Sequence, residues 1–287
     1  MHPFRFGVSA GRAQTRSGFL DEIAVIEALG YSTVFISDHF SDKMAPLPAL
    51  VTAAENSTLG IGTLVLGNDF RHPAVLAKEA ATVDLLSGGL LELGIGTGWD
   101  ISDYEASGIE KVEPGDQVDR FEEAITILKR LWNEGELDFD GTHYSVHLNG
   151  LPKPGPGRPR LLIGGGAQRM LGIAGREADI VGISAAEISN RSDLATEIAR
   201  AGDLLDQKLD WVKEGAGDRF EQLEINILLF GVSVTSDREA GLAQMAGTWG
   251  TSTEAIASSP HFLVGNEAQI IDDLTYRRER WEISYPV

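Results

Sequence analysis

A single (β/α)8 barrel, an α/β fold of the TIM-barrel type, is the fold class this sequence predicts, and three observations predict it. Eight stretches have strand length and no helical period, most are followed by a segment with apolar residues at helical spacing, and the strands end in glycine or polar residues. The strand stretches are apolar throughout, as parallel strands covered on both faces require. The chain has 287 residues, 43% of them hydrophobic, and a barrel of this kind takes ~250. A doubly wound open sheet is the alternative, but the sequence shows no mid-chain switch point and no Gly-x-Gly-x-x-Gly opening a helix.

Taken in order, residues 4–10 alternate into a first strand, and Phe19, Ile23 and Ile26 follow at helical spacing up to Gly30. Residues 33–40 form a second strand with the polar tip Ser37-Asp38-His39, and 46–57 a short helix. A third strand spans 59–67. His72-Pro73 opens the next helix with proline at its first position, and Ser87-Gly88-Gly89 stops it. The fourth strand runs from Leu90 into Gly94, Gly96, Thr97, Gly98 and Trp99; the Asp100-Ile101-Ser102-Asp103 that follows is no obvious helix start. A long helix from about Pro114 puts Val118, Phe121, Ile125, Leu128 and Trp132 on one face. A hairpin over 137–146, turning at Asp140-Gly141, and a proline-rich surface crossing then form a small insertion, about 137–160, between helix 4 and strand 5. The rhythm resumes with strands at 161–166, 179–184 and 223–234, helices at 168–176, 193–214, 237–246 and 266–280, and an eighth strand at 283–287. Residues 1–287 read as one domain.

Composition narrows the function classes. There is no cysteine, hence no disulfide or thiolate chemistry. The net charge of −19 argues against nucleic acid or an anionic membrane as partner. The first residues show no signal-peptide pattern, and no apolar run approaches the ~20 residues of a membrane helix. A cytoplasmic protein acting on a small molecule is the expectation.

In a barrel the polar strand ends gather at one mouth, which assembles Ser9, Asp38-His39, Gly67-Asn68, Thr97-Gly98-Trp99, Gly164-Gly165-Gly166 and Ser184. No phosphate-binding lysine and no pair of facing acids stands among them. Glycines, backbone groups, a hydroxyl, one aromatic and one Asp–His pair suit a large flat cofactor that carries the chemistry itself. His39 reads equally as a capped loop histidine. His143 and His147 lie four apart on the hairpin with no third ligand nearby, and no metal site is expected. Gly164-Gly165-Gly166-Ala167 followed by a helix offers unpaired N–H groups and a positive dipole end, a natural phosphate seat; Arg169 either adds charge there or is simply solvated.

Four segments carry a resemblance: Ser37-Asp38-His39-Phe40; Arg71-His72-Pro73-Ala74-Val75-Leu76-Ala77-Lys78-Glu79-Ala80-Ala81-Thr82 with its following Leu-Ser-Gly-Gly; Leu93-Gly94-Ile95-Gly96-Thr97-Gly98-Trp99; and Ile163-Gly164-Gly165-Gly166 with Ala174-Gly175-Arg176-Glu177-Ala178-Asp179. In order and spacing they resemble the luciferase-like monooxygenase superfamily, flavin or deazaflavin enzymes on a (β/α)8 barrel, over nearly the whole chain. The Asp–His after the second strand looks most like the branch that uses the deazaflavin coenzyme F420. The resemblance implies that Asp38 holds the deazaflavin and that His39 sits by its reactive face. It also implies a non-proline cis peptide at Leu64–Val65 behind the ring. Gly67, Thr97, Gly98, Ser102, Gly166 and Ala167 fall where the family contacts ring, ribityl chain and phosphate, with Trp99, Gly164, Gly165 and Ser184 at the same mouth. Sugar-phosphate and alcohol dehydrogenases of the branch carry a glutamate after Gly-Thr-Gly; Trp99 stands there instead, an apolar wall that favours a less polar substrate or a reductase role. The family's helix after the eighth strand would lie beyond Val287.

The expected function is hydride transfer between F420 and a small organic substrate. An FMN-dependent monooxygenase with a partner reductase and oxygen, and a non-catalytic flavin-binding barrel, are the alternatives. His39 is the expected acid–base catalyst, biased toward acid duty if the Asp38 carboxylate lies close. The resemblance also implies a homodimer, for which the apolar residues of 46–57 and 73–86 are candidates, though they serve a core equally well.

Overall fold

The computed structural model of the protein describes residues 2–155, 157–184 and 194–287, the side chains of 194–199 and 203 excepted. The chain divides into two compact units, Phe6–Ile163 and Gly164–Val287 with Met1–Arg5.

The first unit alternates β1 (Gly7–Ser9), α1 (Arg16–Ala28), β2 (Thr33–Ile36), α2 (Pro46–Asn56), β3 (Gly60–Thr63), β4 (Leu66–Gly67), α3 (Pro73–Leu86), β5 (Leu91–Gly96), α4 (Ile101–Ser107) and α5 (Pro114–Glu134). A hairpin of β6 (Glu136–Asp140) and β7 (Ser145–Asn149) follows, and then β8 (Arg160–Gly165). The strands pair in parallel, with Val8 opposite Val34, Val34 opposite Ile61, Ile61 opposite Leu91 and Leu93 opposite Leu161. Buried Val, Ile, Leu and Phe side chains line these strands, which is why each reads as an unbroken apolar run. The third strand, expected over 59–67, is two short pieces on either side of the cis Leu64–Val65 peptide. β3 and β5 lock beside this break: Thr63 Oγ1 donates to Gly94 O at 2.7 Å and accepts from Gly94 N at 2.8 Å. A Cβ on Gly94 would lie 1.9 Å from Thr63 O, so only glycine fits here.

Two expectations in this unit need correction. α4 does exist after the glycine tip, because the Asp100 carboxylate caps it, accepting from Ser102 N at 3.1 Å and Ser102 Oγ at 2.6 Å. The hairpin turns over residues 141–144 and not at Asp140-Gly141 alone. Glu123 on α5 accepts from the backbone N–H of Thr142, His143 and Tyr144 at 2.7, 3.0 and 3.1 Å, a long-range brace with no local signal.

The second unit holds α6 (Gln168–Glu177), β9 (Ile180–Ile183), α7 (Leu194–Ala216), β10 (Glu224–Ile227), β11 (Gly231–Val234), α8 (Arg238–Trp249), α9 (Thr253–Ser258), β12 (Phe262–Gly265), α10 (Glu267–Trp281) and β13 (Ile283–Pro286). The helix expected to start at Asp193 begins within the described residues at Leu194. β9, β10 and β13 run parallel, Val181 beside Ile225 and Ile225 beside Ile283. The strand expected over 223–234 is divided: β10 joins this sheet, while β11 pairs in parallel with β12 in a separate two-stranded sheet. Arg5 ties the N-terminal segment down, its guanidinium 2.6 Å from both Glu224 carboxylate oxygens and 3.4 Å above the Tyr285 ring. Among the described residues no helix is long and apolar enough to cross a membrane.

Candidate active site

In the first unit the ends of β2 and β5 carry the residues singled out from sequence. Asp38 and His39 are adjacent at the tip of β2, and their side chains take different partners. Arg71 grips Asp38 with both guanidinium nitrogens, at 2.5 and 3.1 Å, and Gly67 N–H donates to the same carboxylate at 3.3 Å. The carboxylate beside His39 is therefore not Asp38 but Asp103, whose Oδ2 lies 2.7 Å from Nδ1. The other oxygen of Asp103 accepts from Phe40 N–H at 2.9 Å. Asp103 sits in the first turn of α4, so the Asp100 cap fixes the carboxylate that meets His39.

Trp99 stands edge-on to the imidazole, with ring centroids 6.0 Å apart and planes at 83°. It is 40% exposed, so an exposed apolar ring borders the histidine on this side. Behind the tip, Thr97 O accepts from the Gln117 amide at 3.4 Å, and that amide also reaches Asp69 at 2.8 Å. The Tyr104 hydroxyl donates to Asp69 at 3.1 Å, and burial, followed by the Asp69 charge, pushes it above the usual phenol range. Gly98, at φ +90°, lies against this tyrosine; a Cβ there would fall 2.2 Å from the hydroxyl oxygen. The Lys111 ammonium lies 4.6 Å above the same ring, held below its ordinary value by partial burial. Leu64 and Val65 bracket the cis peptide, and Ser102 is engaged by Asp100.

His39, Asp100 and Asp103 have ligand-type atoms within 4.8 Å of one another. Within this cluster Nδ1 and one Asp103 oxygen face each other, the second Asp103 oxygen takes Phe40 N–H, and Asp100 Oδ1 takes Ser102. On the hairpin, His147 meets Asp138 and Asp140 rather than His143.

In the second unit the Gly164-Gly165-Gly166 tip of β8 runs into α6, whose N-cap Ala167 makes no side-chain capping bond. The first N–H groups of that helix thus have no side-chain acceptor from the cap. Ser184 N–H donates to Gly165 O at 2.9 Å, and Lys208, fully buried on α7, donates from Nζ to Ser184 O at 3.0 Å. A Cβ on Gly166 would lie 3.2 Å from that ammonium and 2.9 Å from Ser184 O. This cradle of glycines, a helix N-terminus and the buried Lys208 ammonium fits a phosphate-bearing cofactor, and Arg169 stands exposed beside it. Sequence reading foresaw no lysine here. Lys208 did leave a signal, a charge on the apolar face formed by Leu205, Leu209 and Val212. Arg71 and Asp103 were also missed as members of the site; both act through partners distant in sequence.

The family model for luciferase-like monooxygenases matches residues 1–282. The F420-dependent glucose-6-phosphate dehydrogenase of Microbacterium testaceum is 37% identical over 154 residues, 50% of this chain and 46% of that protein. The protein of the same name from Kribbella flavida is 32% identical over 252 residues, 83% of this chain and 71% of its own. The chain thus spans about half the length of the first of these relatives. Among solved structures, an F420-dependent secondary alcohol dehydrogenase in complex with an F420-acetone adduct superposes with a TM-score of 0.77 at 17% identity, over 99% of this chain and 92% of that one. That likeness shows the fold to be the (β/α)8 barrel expected from the strand–helix rhythm. The chain belongs to the luciferase-like monooxygenase family.

Proposed function

We propose that this chain is an oxidoreductase that moves a hydride between coenzyme F420 and a small organic substrate of low polarity, such as a ketone and its alcohol, acting as reductase or dehydrogenase. The observation that carries this reading is the tip of β2: an imidazole held at Nδ1 by a buried carboxylate and edged by the exposed Trp99 ring. When bound, the deazaflavin supplies the hydride acceptor or donor. The chain's residues bind it and handle the proton. Asp38, paired with Arg71 and Gly67 N–H, holds the cofactor ring together with Leu64, Val65, Thr97, Gly98 and Ser102. Gly164, Gly165, Gly166, Ala167 and Ser184, with Lys208 beneath, seat the phosphate. His39 gives or takes the hydroxyl proton.

Glucose 6-phosphate, for which the relatives above are named, fits this tip poorly, because Trp99 puts an apolar wall where a polyol would need hydrogen-bond partners. Titrating the protein with F420 and with FMN, then assaying secondary alcohols and ketones against sugar phosphates, tests the reading. F420-linked turnover of the alcohols supports it. Tight FMN binding with oxygen-dependent turnover overturns it in favour of a monooxygenase; cofactor binding without turnover on the whole panel overturns it in favour of a carrier. His39→Ala should lower turnover ~10²–10⁴-fold with cofactor affinity nearly unchanged, whereas Asp38→Ala should weaken cofactor binding and leave the Arg71 charge without its partner. Full turnover in His39→Ala would reduce the histidine to a pocket wall. The chain is further proposed to act as a cytoplasmic homodimer. The exposed Val75, Leu85 and Leu86 of α3 support that surface; a monomer by light scattering at micromolar concentration would contradict it.

A further inference from the structure

The contact between His39 and Asp103 carries a more specific inference, which rests on the reading of His39 as the proton-handling group. Asp103 is buried, and its two oxygens are divided between two donors: Oδ1 takes Phe40 N–H at 2.9 Å and Oδ2 faces His39 Nδ1 at 2.7 Å. A carboxylate offers only lone pairs to such a contact, so the hydrogen belongs to Nδ1. The ring is bounded on another side by the edge contact with Trp99 at 6.0 Å. We propose that Asp103 is a positioning residue that fixes His39 in the Nδ1–H tautomer and leaves Nε2 as the atom that exchanges a proton with the substrate oxygen.

In the alcohol direction the carbinol C–H bond would break and its electron pair would leave with the hydrogen as hydride, for which a bound deazaflavin would be the acceptor. The O–H proton passes to the Nε2 lone pair of His39, and the electrons of the O–H bond become the second C–O bond of the ketone. In the ketone direction the same bonds form and break in reverse, and His39 returns the proton. A ring with its hydrogen on Nε2 could not accept the proton there, so the tautomer decides whether the oxidation runs.

The division of the two oxygens makes a sharp test available. In Asp103→Asn the side-chain carbonyl must stay on Phe40 N–H, because that amide is a donor. The NH2 group then faces His39 and donates to Nδ1, which forces the ring hydrogen onto Nε2. The tautomer is read without cofactor or substrate, from two-bond ¹H–¹⁵N spectra of histidine-labelled protein, with the His39 signals identified by their loss in His39→Gln. The wild type should show hydrogen on Nδ1, and Asp103→Asn should show it on Nε2. In the alcohol assay Asp103→Asn should lose ~10²–10⁴-fold in kcat with KM and F420 affinity retained. Hydrogen on Nε2 in the wild type, an unchanged tautomer in a folded Asp103→Asn protein, or undiminished kcat would each overturn the proposal. Should Asp103→Asn fail to fold, the wild-type spectrum alone decides the tautomer. Should F420 not bind, the functional reading falls, while the spectra still decide what Asp103 does to His39.

Discussion

His261 shows how much a single buried side chain dictates. It is 1% exposed, donates from Nδ1 to Leu228 O at 2.6 Å, and stacks on Phe230 with centroids 4.4 Å apart. Burial first, and the positive charges of Arg277 and Lys208 after it, push its pKa down to about 4. The unfolded chain takes up a proton below ~6.5, and the folded chain refuses it until about 4. Its contribution is therefore complete above ~6.5, declines as pH falls through that window, and is constant below it; in total it amounts to roughly 3 kcal/mol. Thermal melts at pH 7 and pH 4.5 should show a smaller acid loss in His261→Phe than in the wild type; an equal loss would mean that other groups govern acid unfolding. Nothing in the spacing around residue 261 foretold this, since burial of a lone histidine is a property of its neighbours. His39 and Asp103, 64 positions apart, make the same point at the site: the sequence marked the histidine at a strand tip but offered no way to choose its carboxylate.

At the scale of the element, strands were legible wherever an apolar run ended in glycine, and helices wherever the 3.6 period ran for several turns. α4 was illegible because its seven residues complete too few turns to show a period. β12 was missed because three apolar residues and a glycine directly ahead of the Asn266 cap are too short a run to stand out from the helix that follows. The division of 223–234 into β10 and β11 follows from that same strand, which supplies β11 with a partner outside the main sheet. α4 also lends itself to measurement. Asp100→Ala removes the cap and should cost ~1 kcal/mol. Because the capped first turn presents Asp103, turnover should fall further than so small a loss of stability explains, while F420 still binds. A variant with normal kcat and lowered stability would show that the cap matters to the helix alone.

For the whole molecule, the repeated strand–helix unit was the most legible feature, because each unit restates the same apolar pattern and the errors at its edges do not change its order. The family was legible as well, since its marks are local motifs at strand ends. Less legible were the long-range partners of the strand tips, Arg71 on Asp38 in the first unit and Lys208 on Ser184 in the second.

The glycine against Tyr104 has a consequence for how this protein can diversify. At 98 any side chain meets the hydroxyl at 2.2 Å on a backbone with φ +90°, so Gly98→Ala should cost about 1–3 kcal/mol and mutational drift stops there. One position later the backbone is still fixed by that glycine, yet the side chain stands 40% exposed, where substitutions usually stay within about ±0.5 kcal/mol. Position 99 is thus an evolvable site beside an immovable one. A saturation library at Trp99 should keep melting temperatures close to the wild type while the order of preferred substrates changes from variant to variant; a library that unfolds, or that keeps one substrate order throughout, would show that selectivity is set elsewhere.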